Sequence, residues 1–235
     1  MGQAGARTPS VLHRDARWIC LDKPEGWHTV DARDSDGGPT VQSWLRAHEA
    51  ACAPLDECGL AHRLDKWTGG CLVAATDGDQ RASLRAAFGG TGPIALRKWY
   101  TALVVPGLRE HGEWTMHFTS RYARSAKVTA ARDGDVRTRG TCRWRIVGSA
   151  QCGDAASRAL RRLDLVEIEL VGPGRRHQIR AGFAALGHPL AGDGLYGGPA
   201  VTGRGPDQPA LHATRLSVGD ASIAAPLPDW ALRDR

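Results

Sequence analysis

The chain has 235 residues, 42% of them hydrophobic, enough to bury a core in one large domain or two small ones. No apolar run approaches the roughly 20 residues of a membrane-spanning helix, and Met1 to Leu12 lacks the apolar core of a secretory signal, so a cytoplasmic protein with no membrane partner is expected. Lys and Arg number 31 against 25 Asp and Glu, a formal charge of +6 that suits a polyanion such as nucleic acid, although an arginine-rich composition alone gives the same sign.

Six cysteines, Cys20, Cys52, Cys58, Cys71, Cys142 and Cys152, are scattered and form no Cys-x-x-Cys pair, which excludes a zinc ribbon and a dense disulfide framework and leaves buried or half-buried free thiols. Only four lysines occur, Lys23, Lys66, Lys98 and Lys127. In a chain that otherwise prefers arginine, each can mark a place that needs a compact ammonium.

In chain order, Arg17 to Leu21 reads as a short strand closed by the turn Lys23-Pro24-Glu25-Gly26, and Asp34 to Pro39 as a polar, glycine-rich loop. Val41, Trp44, Leu45 and His48 recur at helical spacing behind Thr40 as N-cap. Cys71 to Ala75 is strand-like, and Asp77 or Asp79 caps a helix through Leu84 and Phe88. Tyr100 to Val105 is a strand, followed to about Val147 by β-branched residues alternating with arginines, an antiparallel meander with a basic face. Leu165 to Val171 sets Val166, Ile168 and Leu170 on one side and Glu167 and Glu169 on the other. Gly172-Pro173-Gly174 turns into a helix with Ile179, Phe183 and Leu186, ended by Gly187; Thr202 to Pro209 is a loop and Leu211 to Pro228 holds closing strands. The fold class is α+β, a mixed, mostly antiparallel central sheet with flanking helices and loops; a Rossmann sheet is excluded by the lack of βαβ alternation.

Three segments carry chemistry. In His62-Arg63-Leu64-Asp65-Lys66-Trp67-Thr68-Gly69-Gly70, a carboxylate between Arg63 and Lys66 stays ionised and can act as nucleophile, base or metal ligand, or simply form a surface ion pair. Gly174-Arg175-Arg176-His177-Gln178-Ile179-Arg180 lies at a strand-to-helix junction, where His177 and Arg180 share a face on the first helical turns and can hold an anion or face solvent. Lys98-Trp99-Tyr100 puts a tyrosine in a strand, either as packing or as a platform for a base.

Together these segments resemble the RluA-type pseudouridine synthases. That family's His-Arg-Leu-Asp, two variable residues, then Thr-Ser-Gly is met by His62 to Gly70, its Lys-x-Tyr by Lys98 and Tyr100, and its Gly-Arg-x-His-Gln-Ile-Arg by Gly174 to Arg180. Gly187-His188-Pro189-Leu190 and Gly192-Asp193 follow, and the likeness runs from Leu21-Asp22-Lys23-Pro24 to Ala225-Pro226-Leu227-Pro228. Two positions depart: Gly69 replaces the usual serine, and Gly182 stands where a histidine is common.

The resemblance implies a pseudouridine synthase fold over residues 14–230 behind a short extension at 1–13, with no separate N-terminal RNA-binding domain. It implies isomerisation of a specific uridine in structured RNA, a stem-loop of rRNA or tRNA, without cofactor or metal, by a monomer. Asp65 would be the nucleophile, Arg180 its ion-pair partner and Tyr100 the residue stacked on uracil. Arg63 would fill the space left by the flipped base, with Lys66, Lys98, Arg175, His177 and Gln178 on the RNA-binding surface. Trp67 is not supplied by the resemblance: two residues past Asp65, it is read as stacking on a neighbouring nucleotide or equally as packing beside the loop. The alternative function is a non-catalytic RNA-binding protein that retains the fold; it predicts loss of Asp65, Tyr100 or Arg180, and all three are present. A metallohydrolase built on the nine histidines is excluded by spacing, since no His-Glu-x-x-His occurs.

Overall fold

The computed structural model describes residues 7–31, 37–120, 122, 125–153 and 160–232. It divides into two compact units, one of Met1–Leu96 with Ala213–Pro226, the other of Arg97–His212 with Leu227–Arg235. The polar loop expected at 34–39 lies partly outside the described residues.

In the first unit, β1 (Ser10–Arg14), β2 (Trp18–Lys23) and β3 (Gly69–Ala75) run antiparallel, with Cys20 opposite Val73 and Lys23 opposite Gly70. Every residue of β2 and β3 is buried, which explains why they read as continuous apolar runs rather than as alternation. A hairpin of β9 (Leu211–Val218) and β10 (Ala221–Ala224) adds Leu216, Val218 and Ile223 to a core shared with Trp18, Cys20, Val73 and Leu84. Helix α1 (Val41–His48) is capped by Thr40, whose hydroxyl accepts the Ser43 N–H at 2.9 Å. Helix α2 (Gly78–Phe88) is capped by Asp77 rather than Asp79, through Gln80 N–H at 2.7 Å. The pairing of Lys23 with Gly70 matters most for function. It brings together the two ends of the 24–68 excursion, so the segment carrying Asp65 returns to the strands beside Lys23.

In the second unit the strands are β4 (Leu96–Val104), β5 (His111–Thr119), β6 (Thr129–Ala131), β7 (Arg139–Gly153) and β8 (Leu160–Val171), in the order β4-β8-β7-β5-β6 with antiparallel pairing throughout. The expected meander is therefore corrected: β5 lies between β6 and β7, because β7 turns its length to β8 in a long hairpin. The expected basic face is corrected as well. Arg143 pairs with Glu113 at 2.6 Å and Glu169 at 3.8 Å, Arg145 with Glu167 at 3.0 Å, and Arg97 with Glu169 at 2.9 Å. Glutamates on neighbouring strands thus answer the arginines, giving a ladder of alternating charge whose solvent-screened pairs add little to stability.

Helix α3 (Gln178–Ala185) packs close to β5 because Gly182 has no side chain: a Cβ there would lie 2.4 Å from the Trp114 ring. Gly112 makes a similar notch for Trp144, at 2.3 Å. All six cysteines are free thiols, five buried and Cys152 half-buried. The α+β class is as expected, and among the described residues no helix is long and apolar enough to cross a membrane.

Candidate active site

The first unit shapes the Asp65 segment by fixing its neighbours on both sides. His62 Nε2 accepts the Val73 N–H at 3.1 Å, and its ring stacks on Phe88 with centroids 3.9 Å apart. An accepting Nε2 assigns the ring proton to Nδ1, so the imidazole is neutral in this arrangement. Arg63 points to solvent and Leu64 is buried, the alternation of an extended chain. Buried Thr29 holds Leu64 by both backbone groups, donating from Oγ1 to its carbonyl at 2.8 Å and accepting its N–H at 3.1 Å.

Beyond Leu64 the chain turns sharply: the Asp65 carbonyl accepts the Thr68 N–H at 3.0 Å, and the Lys66 carbonyl accepts the Gly26 N–H at 3.0 Å. Lys23, fully buried, donates to the carbonyls of Pro24 at 3.0 Å, Trp27 at 2.7 Å and Lys66 at 3.0 Å. Burial pushes its amine down to about 7, opposed by the negative charges of Asp65, Glu25 and Asp22. Three carbonyl acceptors match the three N–H donors of an ammonium, which also favours the charged form. Lys23 is thus a positioning residue for the Asp65 turn.

Asp65, Lys66 and Trp67 are half-buried. The Trp67 ring lies on the Gly26 turn: a Cβ on Gly26, at φ +84°, would come within 3.2 Å of it. The Lys66 amine sits 5.5 Å from the ring centroid. On its Gly26 side, Trp67 packs beside the loop.

The second unit carries the other two motifs. Tyr100 and Lys98 lie two residues apart on β4, hence on one face, and both are buried. Lys98 donates to the Gly172 carbonyl at 2.5 Å, and burial pushes it down to about 8. Gln178 is likewise buried: its amide donates to the Thr141 carbonyl at 3.1 Å and to Cys142 Sγ at 3.6 Å, while its oxygen accepts the Arg175 N–H at 2.9 Å. Gly140 makes room for it, since a Cβ there would lie 2.6 Å from its amide carbon. Both residues, expected on the RNA surface, thus engage the backbone around the start of α3.

His177 corrects the helical reading. It is the N-cap of α3 in the left-handed region, φ 53° and ψ 22°, and so it does not share a helical face with Arg180. The Gln178 side chain folding back on Arg175 closes this turn, and the first helical bond runs from Ala181 N–H to the His177 carbonyl at 2.8 Å. Arg175 Nε donates to the Arg139 carbonyl at 2.9 Å.

Arg180 is buried and grips Asp193 at two points, Nε to Oδ2 at 2.7 Å and Nη2 to Oδ1 at 2.8 Å. Asp193 is fully buried, and its carbonyl accepts the N–H groups of Tyr196 at 3.1 Å and Gly198 at 2.8 Å. Asp193 was visible in the Gly192-Asp193 motif, but nothing local to it names Arg180 as partner. Thr29 and Tyr196 had no sequence signal at all. Among the described residues no group of three or more His, Cys, Asp or Glu is placed to hold a metal ion.

Comparison with known proteins agrees with these motifs. The sequence model described as RNA pseudouridylate synthase matches residues 17–185. An uncharacterized RNA pseudouridine synthase, YhcT of Bacillus subtilis, is 30% identical over 93% of this chain and 68% of its own length. The dual-specificity RNA pseudouridine synthase RluA of Pasteurella multocida is 25% identical over 88% of this chain and 85% of its own. The ribosomal large subunit pseudouridine synthase D of Nitrosomonas europaea is 26% identical over 92% of this chain, which spans only 59% of that relative's length. The human RNA pseudouridylate synthase domain containing 1 shares the fold, with a TM-score of 0.65 at 21% identity over 97% of this chain and 86% of that one. The chain belongs to the RNA pseudouridylate synthase family, in its RluA-type branch, and is by that membership an isomerase acting on RNA.

Proposed function

We propose that the protein isomerises one uridine of a structured RNA with Asp65 as nucleophile. The observation that carries this reading is the fixing of the Asp65 turn by Lys23 and Thr29, within a chain whose family match covers the motifs around it. The reaction breaks the bond between ribose C1′ and uracil N1 and forms one between C1′ and C5. The C5 proton is lost and N1 gains one, so the product is an isomer and no redox partner is needed. Asp65 attacks C1′ or promotes glycal formation there. Tyr100 stacks on the uracil and takes the C5 proton, and Arg180 serves as the ion-pair partner of the nucleophile.

A paired base is out of reach of such a carboxylate, so the uridine is flipped from its stem and exposed Arg63 occupies the space it leaves. Arg175, His177 and Lys66 contact the RNA strand, while Lys98 and Gln178 support the start of α3. The substrate is a stem-loop of ribosomal or transfer RNA. One relative's name specifies the ribosomal large subunit and another's dual specificity, which supports this class without choosing within it.

The test is release of tritium from uracil C5 in total RNA lacking the modification. Wild-type protein should release it and Asp65→Asn should not. Normal turnover by Asp65→Asn would refute the assignment, and no release by the wild type would favour a non-catalytic RNA-binding role.

A further inference from the structure

Tyr196 sits in the second unit with more partners than a packing residue needs. Its Oη accepts the Val128 N–H at 2.9 Å, lies 3.2 Å from the Val128 carbonyl and 3.0 Å from His177 Nδ1. One hydroxyl has one donor and two acceptor positions. All three contacts are satisfied together only if Oη donates to the Val128 carbonyl while Val128 N–H and His177 Nδ1–H both donate to Oη. The ring also faces two cations, the Arg180 guanidinium and the Lys127 ammonium, each 5.3 Å from its centroid.

A second tether holds the same segment: Arg176, itself exposed, donates to the carbonyls of Ser125 and of Ala126, the latter at 3.0 Å. Residues 125–128 therefore lie as a strap across the start of α3. Within it Val128 is buried, and Lys127 is exposed with its ammonium over the Tyr196 ring.

We infer that Tyr196 is a positioning residue that locks the 125–128 strap onto the start of α3, presenting Lys127 to an RNA phosphate while its ring steadies Arg180. This rests on the RNA-modifying role proposed above. Without the hydroxyl the strap loses its buried anchor, and Lys127 becomes one mobile charge among many. With it, the ammonium is held at a fixed height over α3 and meets one phosphate of the bound strand, a contact that adds affinity and register but no chemistry.

The test is a double-mutant cycle of Tyr196→Phe and Lys127→Ala, read by amide hydrogen exchange and by steady-state kinetics of tritium release. Tyr196→Phe keeps the ring over both cations and removes only the hydroxyl. It should speed exchange of the Val128 amide at least about tenfold. Each single variant should raise KM for RNA about five- to tenfold with a smaller change in kcat, and the double variant should be no worse than either. Multiplying KM effects, a fall in kcat at unchanged KM, or unchanged exchange at Val128 would overturn the inference. If Tyr196→Phe does not fold, Arg176→Ala releases the other tether from an exposed position and should show the same non-additivity with Lys127→Ala; additive effects there also overturn it. If the wild type releases no tritium, the pseudouridine assignment fails by itself, and the strap is still judged by exchange and by RNA affinity in the same cycle.

Discussion

Thr29 and Leu64 are joined twice, the threonine hydroxyl donating to the leucine carbonyl at 2.8 Å and accepting its N–H at 3.1 Å, both residues being buried. A single oxygen thereby satisfies the two main-chain groups that precede Asp65, and the Asp65 backbone inherits its direction from a side chain 35 residues before Leu64.

Thr29→Val keeps the shape and removes the oxygen, leaving the Leu64 N–H and carbonyl without this partner in a dry environment. The expected cost is about 1–3 kcal/mol of stability. The turn that loosens carries Asp65, so kcat should also fall, by roughly tenfold or more. Thr29→Ser retains the hydroxyl and should recover most of kcat. Urea denaturation and tritium release measure the two effects, and a Thr29→Val enzyme with wild-type kcat would show that Asp65 is aimed by other contacts.

Arg180 and Asp193 form the most deeply buried ion pair described, with both donor–acceptor contacts below 3 Å. Asp193→Asn removes the charge and leaves a buried guanidinium facing an amide, for which a loss of about 3–5 kcal/mol is expected. A neutral hydrophobic replacement of both partners would cost less, so the double variant Arg180→Met with Asp193→Leu should be more stable than Asp193→Asn and still inactive. Chemical denaturation of the three proteins, run with the activity assay, separates loss of folding from loss of activity.

Gly182 and Trp114 are complementary in volume. Gly182→Ala places a methyl 2.4 Å from ring atoms and should destabilise by about 1–3 kcal/mol through overpacking. Trp114→Leu opens the space, so the pair of changes should be less harmful together than their sum. The indole N–H of Trp114 is buried with no hydrogen-bond partner among the described residues, so Trp114→Phe should cost less than its lost area alone suggests. Thermal melting of the four variants decides this. The glycine that departs from the family pattern is thus explained by a ring on β5 rather than by substrate fit.

What could be read from sequence was what is local. Thr40 and Asp77 announced their helices because a cap acts on residues two or three ahead. The Val166, Ile168 and Leu170 alternation marked one face of β8 because strand periodicity is a property of neighbours. The position of β5 between β6 and β7 depended on which distant strand each edge met, which no window contains. The left-handed His177 was hidden for the same reason: a residue with a Cβ takes that conformation here because the Gln178 side chain and the Tyr196 hydroxyl close around it. In the candidate site, Asp65, Tyr100 and Arg180 stood out through their motifs. Thr29 and Tyr196 did not, and Asp193 showed in its motif without naming its partner, since each acts on a residue 13 or more positions away.

Lys23 gives the pH dependence that follows from this support. Its amine is pushed from 10.5 down to about 7 in the folded protein. A lysine with a lowered folded pKa leaves the unfolded chain holding more protons between about 7 and 10.5, so stability rises with pH across that window. Lys98, pushed down to about 8, acts in the same direction. Above about 9 the buried thiols oppose both, since Cys52 and Cys142 keep their protons longer when folded than when unfolded. The clean interval is therefore pH 7 to 9. There, Lys23→Met should flatten the rise in unfolding free energy by up to about 1.4 kcal/mol per pH unit. Lys98→Met should flatten it only in the upper half of the interval. Urea titrations at pH 7, 8 and 9 give the slopes. Equal slopes in wild type and Lys23→Met would mean that the three carbonyls and Asp65 hold the amine charged as firmly as water does, and that burial has no net effect on its proton.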